Sequence, residues 1–315
     1  MKKQQFALKN DKIREKFENL KSEAPEKLKE NLNLSFSIWL FGAEDLEKSL
    51  RRLKNAGYNY VELPGDHHVK ELGHSLGRVD NLLKKYDLKV SGVCGLFPPE
   101  ADMASNDPYK RKRAINYVKN EIKFADEVGG DYLLIVPSAV GRSEAIDNNE
   151  YQRSVETAQI IAKYFSNSDI KAAVEPIRSA EVSVINTISE ALDYIEDIDN
   201  ESISNINGDI FHMINEEEHI GEAIIRAGER LTNLHIADSN RAPIGKGMIN
   251  IDIVIMALYL INYNQEGKYV TGEPLGIGGN SYQLMHGNPD SSKLDFLVKQ
   301  TINYFKERER ALTKQ

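Results

Sequence analysis

Residues 231–241 read LTNLHIADSNR. A short apolar run that carries a histidine ends here in a polar cluster, a pattern typical of a buried strand that presents functional groups at its end. Comparable β-rich runs recur along the chain, with amphipathic helical stretches between them. The eight predicted strands cover residues 34–40, 58–63, 88–94, 132–136, 170–174, 203–206, 231–236 and 269–271. Regular alternation of strands and helices predicts a parallel sheet with right-handed crossovers.

The helical stretches carry their own start and stop signals. One ends at Gly57, and a second begins with Asp107 as its N-cap and a proline in its first turn. A third opens with a capping box formed by Thr187 and Glu190. Eight strand–helix units in about 280 residues predict a closed (β/α)₈ TIM barrel of the α/β class. An open doubly wound sheet is the alternative, but its glycine fingerprint is absent after the first strand, where only Gly42 stands.

Residues 1–32 precede this alternation and have a pattern of their own. Ile13 and Phe17 lie at helical spacing among charged residues, which predicts an amphipathic helix interrupted near Pro25. We therefore expect an N-terminal helical extension at 1–32, packed on the main domain or on a partner subunit. A catalytic barrel at 33–315 follows it.

Composition argues against several classes of protein. With 40 Lys and Arg against 48 Asp and Glu, the net charge of −8 disfavours a nucleic-acid binder, which needs clustered cations. The single cysteine, Cys94, rules out an intrachain disulfide and zinc sites built from several thiolates. No apolar stretch follows the first lysines, and the longest apolar run, 253–261, is shorter than the roughly 18 residues of a membrane span. A cytoplasmic location without membrane contact is the expectation.

Four chemically active side chains follow four consecutive predicted strands. They are Glu175, Asp209, His235 and Glu273. The carboxyl ends of barrel strands form one face, where TIM-barrel active sites lie. Acidic and imidazole groups gathered there repel or desolvate one another unless a cation holds them together. Three carboxylates and one imidazole suit Mn²⁺, Mg²⁺ or Co²⁺, so a divalent metal site is predicted.

The motifs around these residues follow one another in a characteristic order. They are EP with a further glutamate at 175–181, DIFHM at 209–213, HIADSNR at 235–241 and EP at 273–274. Residues from about 33 to 310 thereby resemble the sugar isomerase/epimerase family with a xylose-isomerase-like barrel. The resemblance is closer to its ketose 3-epimerase branch, the D-tagatose and D-psicose (D-allulose) 3-epimerase type, whose loop after the third strand resembles DMASNDP at 102–108.

The resemblance implies a role for each motif. The metal ligands would be Glu175, Asp209, His235 and Glu273, with Mn²⁺ favoured and Co²⁺ or Mg²⁺ as alternatives. The residues that hold a sugar substrate would be Glu181, His212 and Arg241. Glu175 and Glu273 would also act as the acid/base pair, passing a proton through a metal-stabilised enediolate from opposite faces. A homo-oligomer, either a dimer or a tetramer, is implied as well.

Structural roles compete with some of these assignments. Glu181 could begin a helix, His212 could pack as a core residue, and Arg241 could pair with a loop carboxylate. Asp238 is expected to orient His235 or Arg241 rather than to bind metal. Cys94 is expected in the core or the pocket wall, because the chemistry needs no thiolate.

Three departures from the ketose 3-epimerase branch leave the identity of the substrate undetermined. Arg178-Ser179 stands where the branch usually has Asn-Arg, His67 and His68 follow the second strand, and a Gly/Asn-rich segment at 275–291 could form a lid or a subunit contact. A metal-dependent lyase of the same family, inosose dehydratase-like or C-glycoside deglycosidase-like, is the alternative function. An endonuclease IV type of DNA-repair enzyme is disfavoured, since it needs a histidine-rich three-zinc cluster.

Overall fold

Eight parallel strands form the centre of the computed structural model, which describes residues 5–66 and 75–314 apart from the side chains of residues 281 and 282. The strands are β1 (Leu34–Phe36), β2 (Tyr60–Gly65), β3 (Lys89–Gly95), β4 (Tyr132–Ile135), β5 (Lys171–Val174), β6 (Asn205–Asp209), β7 (Leu231–Ile236) and β8 (Tyr269–Gly272). Neighbours pair in the order β1-β8-β7-β6-β5-β4-β3-β2. A bridge from Ser37 to Glu62 links the ends of this order, so the sheet is a nearly closed barrel.

Helices alternate with the strands around the outside of the barrel. The α-helices of the described ranges are α1 (Gln5–Glu23), α2 (Leu46–Ala56), α3 (Leu76–Tyr86), α4 (Pro108–Glu127), α5 (Glu150–Phe165), α6 (Ile188–Ile198), α7 (Ile210–Glu216), α8 (Ile220–Ala227), α9 (Ile251–Leu260), α10 (Ser281–Met285) and α11 (Ser291–Thr313). The predicted TIM-barrel fold is confirmed. Within the described residues, no helix is both long and apolar enough to cross a membrane.

The predicted helix signals have the geometry that their sequences indicate. Gly57 ends α2 in the left-handed conformation at φ +93°, and Asp107 caps α4 by accepting from the Tyr109 amide. Thr187 and Glu190 form both hydrogen bonds of a capping box at the start of α6. Local sequence therefore sets where these helices begin and end.

The first strand is shorter than the sequence predicts. β1 ends at Phe36, and residues 39–41 form a 3₁₀ turn in place of the predicted continuation to residue 40. The turn ends at Gly42, whose φ of +55° and close approach to the Gly287 carbonyl leave no room for a side chain. Turning the chain here brings Trp39 over the carboxyl-end mouth of the barrel.

The N-terminal helix α1 packs on the outside of the barrel against α8 and α9. Its predicted apolar face is buried, with Ile13 2% and Phe17 0% exposed. Burial of one such aromatic side chain contributes about 2 kcal/mol. Lys9 adds ion pairs to Glu218 and Glu222 near the start of α8. The extension thus covers helices of its own chain.

The barrel interior changes character along its axis. The end where the strands begin is filled by an aromatic cluster of Tyr132 and Tyr269, with Tyr60 packed against it. Gly92 on β3 makes room for the Tyr132 ring, since a Cβ there would lie 2.5 Å from a ring carbon. Polar side chains occupy the layer above, toward the opposite end of the strands.

Candidate active site

The four predicted strand-end residues lie at one mouth of the barrel. Backbone hydrogen bonds of 3.0 Å to the carbonyls of the neighbouring strands hold Glu175, which follows β5, and Glu273, which follows β8. Asp209 ends β6 and lies in register with His235 of β7. Because each residue belongs to a strand or follows it directly, the sheet itself fixes their spacing.

These side chains converge on one ring nitrogen. The His235 Nδ1 atom lies 3.4 Å from an oxygen of Glu175 and 3.5 Å from an oxygen of Glu273. Ligand atoms of Glu175, Asp209 and His235 all lie within 4.8 Å of one another. The Asp209 carboxylate also accepts from the Phe211 amide at the start of α7. The structure therefore brings together all four residues that the sequence placed at strand ends.

Burial disfavours the ionised form of the carboxylates in this cluster. Removal from water raises the pKa of Asp209 to about 7 and the pKa of Glu273 to about 8, and it also raises the pKa of Glu175. Burial alone would lower the pKa of His235, but the charges of Glu273 and Glu62 raise it well above its ordinary value. The described ion-pair partners of the three carboxylates are imidazoles, those of His235 and His212.

The donor set fits a divalent cation. Carboxylate oxygens and one imidazole nitrogen are hard or borderline ligands, which suit Mn²⁺, Mg²⁺ or Co²⁺. A bound cation would also compensate for the burial, and for the smaller repulsion among the carboxylates, that raise their pKa values. A divalent metal site is therefore consistent with both the ligand chemistry and the electrostatics.

A second polar group stands beside the cluster. One oxygen of Glu181 accepts from Arg178 at 2.6 Å and from Arg241 at 2.8 Å. Both guanidinium groups lie over the Phe211 ring, at 5.0 Å and 4.3 Å from its centre. Arg178 is thus a positioning partner that the motif comparison noted only as a departure.

His212 lies between the two groups. Its Nε2 atom is 3.3 Å from the Asp209 carboxylate, and its buried Nδ1 atom has no hydrogen-bond partner among the described residues. Burial, followed by the charges of Arg241 and Arg178, lowers the pKa of His212 well below its ordinary value. The ring is therefore neutral at pH 7, so one of its nitrogens donates a hydrogen bond and the other can accept one.

A cavity of about 310 Å³ opens above these residues. Its polar lining consists of Glu175, Glu181, His212, Arg241, Glu273 and His286. Its apolar walls come from Trp39, Cys94, Leu96, Phe97, Pro98, Pro99, Val136, Val140, Ile177 and Met285. A mostly apolar chamber of this size with a few polar side chains is suited to one small polar molecule.

The Gly/Asn-rich segment contributes to this cavity. Met285 and His286 line it, and the carbonyl of Gly287 accepts from the Ala43 amide at 2.9 Å. The segment thus forms part of the cavity wall in this structure. His67 and His68, the other unusual polar residues of the sequence, lie outside the described residues.

Asp238, expected to orient His235 or Arg241, contacts neither of these side chains among the described hydrogen bonds. Its carboxylate instead accepts from the backbone amides of Ser239, Gly245, Lys246 and Ile249. A short acidic side chain after a strand commonly binds the amides of its own loop, and here it shapes the loop that carries Arg241.

Cys94 occupies the cavity wall, one of its two expected positions. Its side chain is buried, and burial together with nearby carboxylates raises the pKa of the thiol well above its ordinary value. A thiol in that state is a poor nucleophile.

Sequence reasoning missed three residues that contact the cluster. The Trp39 indole donates to Glu273 at 2.6 Å, and the Asn207 amide donates to Glu175 at 2.8 Å. Glu62 lies 3.0 Å from the Nε2 atom of His235. Glu62 stands inside an apolar strand, YVELPG, where no spacing signal separates it from a structural residue.

The (β/α)₈ barrel has a cation-binding donor set and a sugar-sized cavity at its carboxyl-end mouth. These features are typical of one class of enzyme, the metal-assisted isomerases and epimerases of small polar substrates. The profile of the family described as "Xylose isomerase-like TIM barrel" matches residues 50–269. The chain belongs to this family.

Individual relatives narrow the class. The chain is 30% identical over 258 residues to a D-psicose 3-epimerase of Agrobacterium fabrum, covering 78% of this chain and 87% of the relative. It is 26% identical over 231 residues to a ketose 3-epimerase of Arthrobacter globiformis, covering 72% and 78%. A crystal structure of a Methylomonas D-allulose 3-epimerase in complex with D-allulose superposes with a TM-score of 0.76 at 20% identity, covering 89% of this chain and 98% of the other.

These relatives confirm the predicted enzyme class. The chain is an enzyme of the sugar isomerase/epimerase type, and the similarity to epimerases supports that activity over the lyase alternative.

Proposed function

We propose that this enzyme is a divalent-metal-dependent ketose 3-epimerase that uses Mn²⁺. The observation that carries the proposal is the convergence of Glu175 and Glu273 on the Nδ1 atom of His235, at 3.4 and 3.5 Å, in the floor of the cavity. The ligands would be these three residues and Asp209. When bound, the cation supplies positive charge that stabilises the anion formed when a proton leaves carbon.

Proton transfer falls to the two glutamates. Inversion at a carbon beside a carbonyl needs one group that takes the proton and another that returns it from the opposite face. Glu175 follows β5 and Glu273 follows β8, so they enter the cavity from separate strands with β6 and β7 between them. The pKa values of both groups are raised toward neutral pH, which suits groups that alternate between acid and base.

Substrate orientation falls to the second polar group. Glu181, held by Arg178 and Arg241, presents a fixed acceptor, and Arg241 presents donors to sugar oxygens. With Nε2 of His212 donating to Asp209, the free Nδ1 accepts a hydrogen bond from a sugar hydroxyl. These three contacts distinguish the two ends of a ketose and place one carbon near the glutamates.

The direct test follows hydrogen at carbon 3. The Mn²⁺-loaded enzyme is incubated in D₂O with D-fructose, D-psicose, D-tagatose and L-ribulose in separate reactions. We expect deuterium at C3 of at least one ketose together with the C3-inverted product. Deuterium at C1 alone would indicate an aldose–ketose isomerase, and loss of water from a cyclic ketone would indicate a lyase.

The matched control is the same protein after chelation of its metal. We expect exchange to stop and to return when Mn²⁺ is added back. Full exchange in metal-free protein would contradict the proposal, because the two glutamates would then deprotonate carbon without the charge that stabilises the product anion.

A further inference from the structure

A buried carboxylate lies behind the proposed metal ligands. The Glu62 side chain, on β2, is fully buried inside the barrel. Its two oxygens lie 3.0 and 3.1 Å from the Nε2 atom of His235. The other ring nitrogen, Nδ1, faces Glu175 and Glu273. His235 therefore contacts Glu62 through one ring nitrogen and Glu175 and Glu273 through the other.

The chemistry of the contact fixes the direction of its hydrogen bond. An ionised carboxylate only accepts, so the Nε2 atom of His235 must carry the proton and donate to Glu62. When Nδ1 loses its proton, the lone pair on that atom faces Glu175 and Glu273. A carboxylate that accepts from the remote N–H of an imidazole both orients the ring and makes its free nitrogen a stronger ligand.

Glu62 is itself held in place. The Tyr132 hydroxyl donates to it at 2.6 Å, and the Asn233 amide lies 3.3 Å from the same oxygen. Gly92 leaves the space that the Tyr132 ring occupies. Such contacts are needed to keep a buried charge ionised, and they leave the carboxylate little freedom to turn away from His235.

The same network reaches a second proposed ligand. Thr271 donates to Asn233 at 2.7 Å, Asn233 donates to Asn207 at 2.7 Å, and Asn207 donates to Glu175 at 2.8 Å. Each donor in this chain comes from a barrel strand. A layer of polar side chains below the site thus fixes both His235 and Glu175 before any cation binds.

We propose that Glu62 is a positioning residue that holds His235 as the Nε2–H tautomer with its Nδ1 lone pair toward the cavity, and thereby raises the affinity of the site for a divalent cation. The inference rests on the proposed function, because it requires His235 to be a metal ligand. In this proposal Glu62 acts through His235, although ligand atoms of Glu62, Cys94 and Glu273 also lie within 4.8 Å of one another.

The test compares two buried glutamates. Glu62→Gln removes the charge behind His235. Glu309→Gln is the matched control, since Glu309 on α11 is also buried and also accepts from a tyrosine, Tyr259, at 3.0 Å. Equilibrium dialysis against Mn²⁺ alone measures affinity without any substrate. We expect Glu62→Gln to bind Mn²⁺ about 10- to 100-fold more weakly than wild type. Glu309→Gln should stay within about twofold of wild type, because a merely structural loss does not reach the site.

A second measurement reports the tautomer directly in the wild-type enzyme. Long-range ¹H–¹⁵N correlation spectra of the Zn²⁺-loaded protein distinguish a protonated Nε2 from a protonated Nδ1 of His235. A proton on Nε2 supports the inference, and a proton on Nδ1 overturns it. This readout holds even if Glu62→Gln fails to fold, and Tyr132→Phe, with Tyr194→Phe as its buried control, then supplies the affinity comparison.

The possible outcomes distinguish a failure of the role assigned to Glu62 from a failure of the proposed metal site. Wild-type affinity in a folded Glu62→Gln protein would overturn the role of Glu62 and leave the metal site intact. A wild-type protein that binds no Mn²⁺, Co²⁺ or Zn²⁺ would overturn the proposed function itself.

Discussion

Two groups of buried carboxylates in this protein differ in how their negative charge is balanced. Asp102, in the loop after β3, and Glu150, at the start of α5, form an outer pair that accepts from the guanidinium of Arg142 at 3.0 and 2.6 Å. Burial opposes ionisation of Glu150, but the hydrogen bonds from Arg142 and Ser183 outweigh it and lower its pKa. At the barrel mouth, burial raises the pKa of Asp209 and of Glu273 instead.

The difference lies in where the compensating positive charge comes from. The outer pair carries its cation within the chain, so it is complete when the protein folds. The mouth has an imidazole at its centre, and Arg241 lies nearer to Glu181 than to the cluster. A buried acidic group of this kind is balanced by protons or by a cation from solution. The contrast distinguishes a structural ion pair from a site that receives a ligand.

The largest effect should follow from removing one mouth carboxylate. Glu273→Gln keeps the shape of the side chain but cannot take or return a proton. We expect the rate of C3 hydrogen exchange to fall about 10³-fold or more. Glu150→Gln, which alters the outer pair, should reduce stability and leave exchange near the wild-type rate once folded. Exchange at the wild-type rate in Glu273→Gln would remove this residue from the acid/base pair.

Proton competition should give the next largest effect. Asp209 and Glu273 hold protons at pH 6 because their pKa values are about 7 and about 8. A cation must displace these protons, so the affinity for Mn²⁺ should rise roughly tenfold per pH unit for each proton displaced between pH 6 and 8. Isothermal titration at pH 6, 7 and 8 measures it, and equal affinities at all three values would contradict the account.

The stability of the metal-free protein should fall as the pH rises, whereas the affinity for Mn²⁺ rises. An acid whose folded pKa is raised stabilises the fold fully below its ordinary pKa near 4, and this contribution is lost as the pH rises through 7 to 8. The melting temperature of the metal-free enzyme should therefore fall as the pH rises toward 8. The increase in melting temperature caused by adding Mn²⁺ should become larger over the same pH interval. Glu273→Gln should show a shallower fall, because one of the titrating groups is gone.

The outer pair offers the complementary test. Arg142→Met removes the internal cation and leaves Asp102 and Glu150 buried without it. We expect a loss of about 2 kcal/mol in the free energy of unfolding, less than for a fully buried pair because Arg142 is partly exposed. Urea denaturation measures the loss. The affinity for Mn²⁺ should not change, and a tenfold weaker site would show that the two groups are coupled.

The smallest effect should come from Arg178. Arg178→Ala removes one of the two donors that hold Glu181, and Arg241 retains the other. Steady-state kinetics should show KM rising about two- to fivefold with kcat nearly unchanged, since Arg178 supports substrate binding rather than proton transfer. A fall in kcat alone would assign Arg178 to the chemical step.

The sequence predicted the barrel and its mouth for one shared reason. Alternation and helix caps are local signals, and parallel strands in a barrel end on the same face, so residues that follow strands meet without any knowledge of long-range contacts. Glu175, Asp209, His235 and Glu273 were found in this way. The end of β1 was misplaced because the turn after it depends on the approach of Gly42 to Gly287.

Residues that act across the barrel gave no such signal. Glu62 and His235 are 173 positions apart and meet only because the barrel closes. Trp39 reaches Glu273 because β1, the first strand in sequence, pairs with β8, the last. Polar residues inside strands, such as Asn207 and Asn233, interrupt apolar runs in the sequence, but only the closed geometry shows which partners they bind.

Diffraction from crystals grown with Mn²⁺, recorded at the manganese absorption edge, shows directly where the cation binds. We expect one strong anomalous peak at the barrel mouth, bonded to the Nδ1 atom of His235 and to oxygens of Glu175, Asp209 and Glu273. A peak bonded to other residues, or a mouth without a peak in crystals of active, Mn²⁺-loaded enzyme, would contradict the proposed metal site.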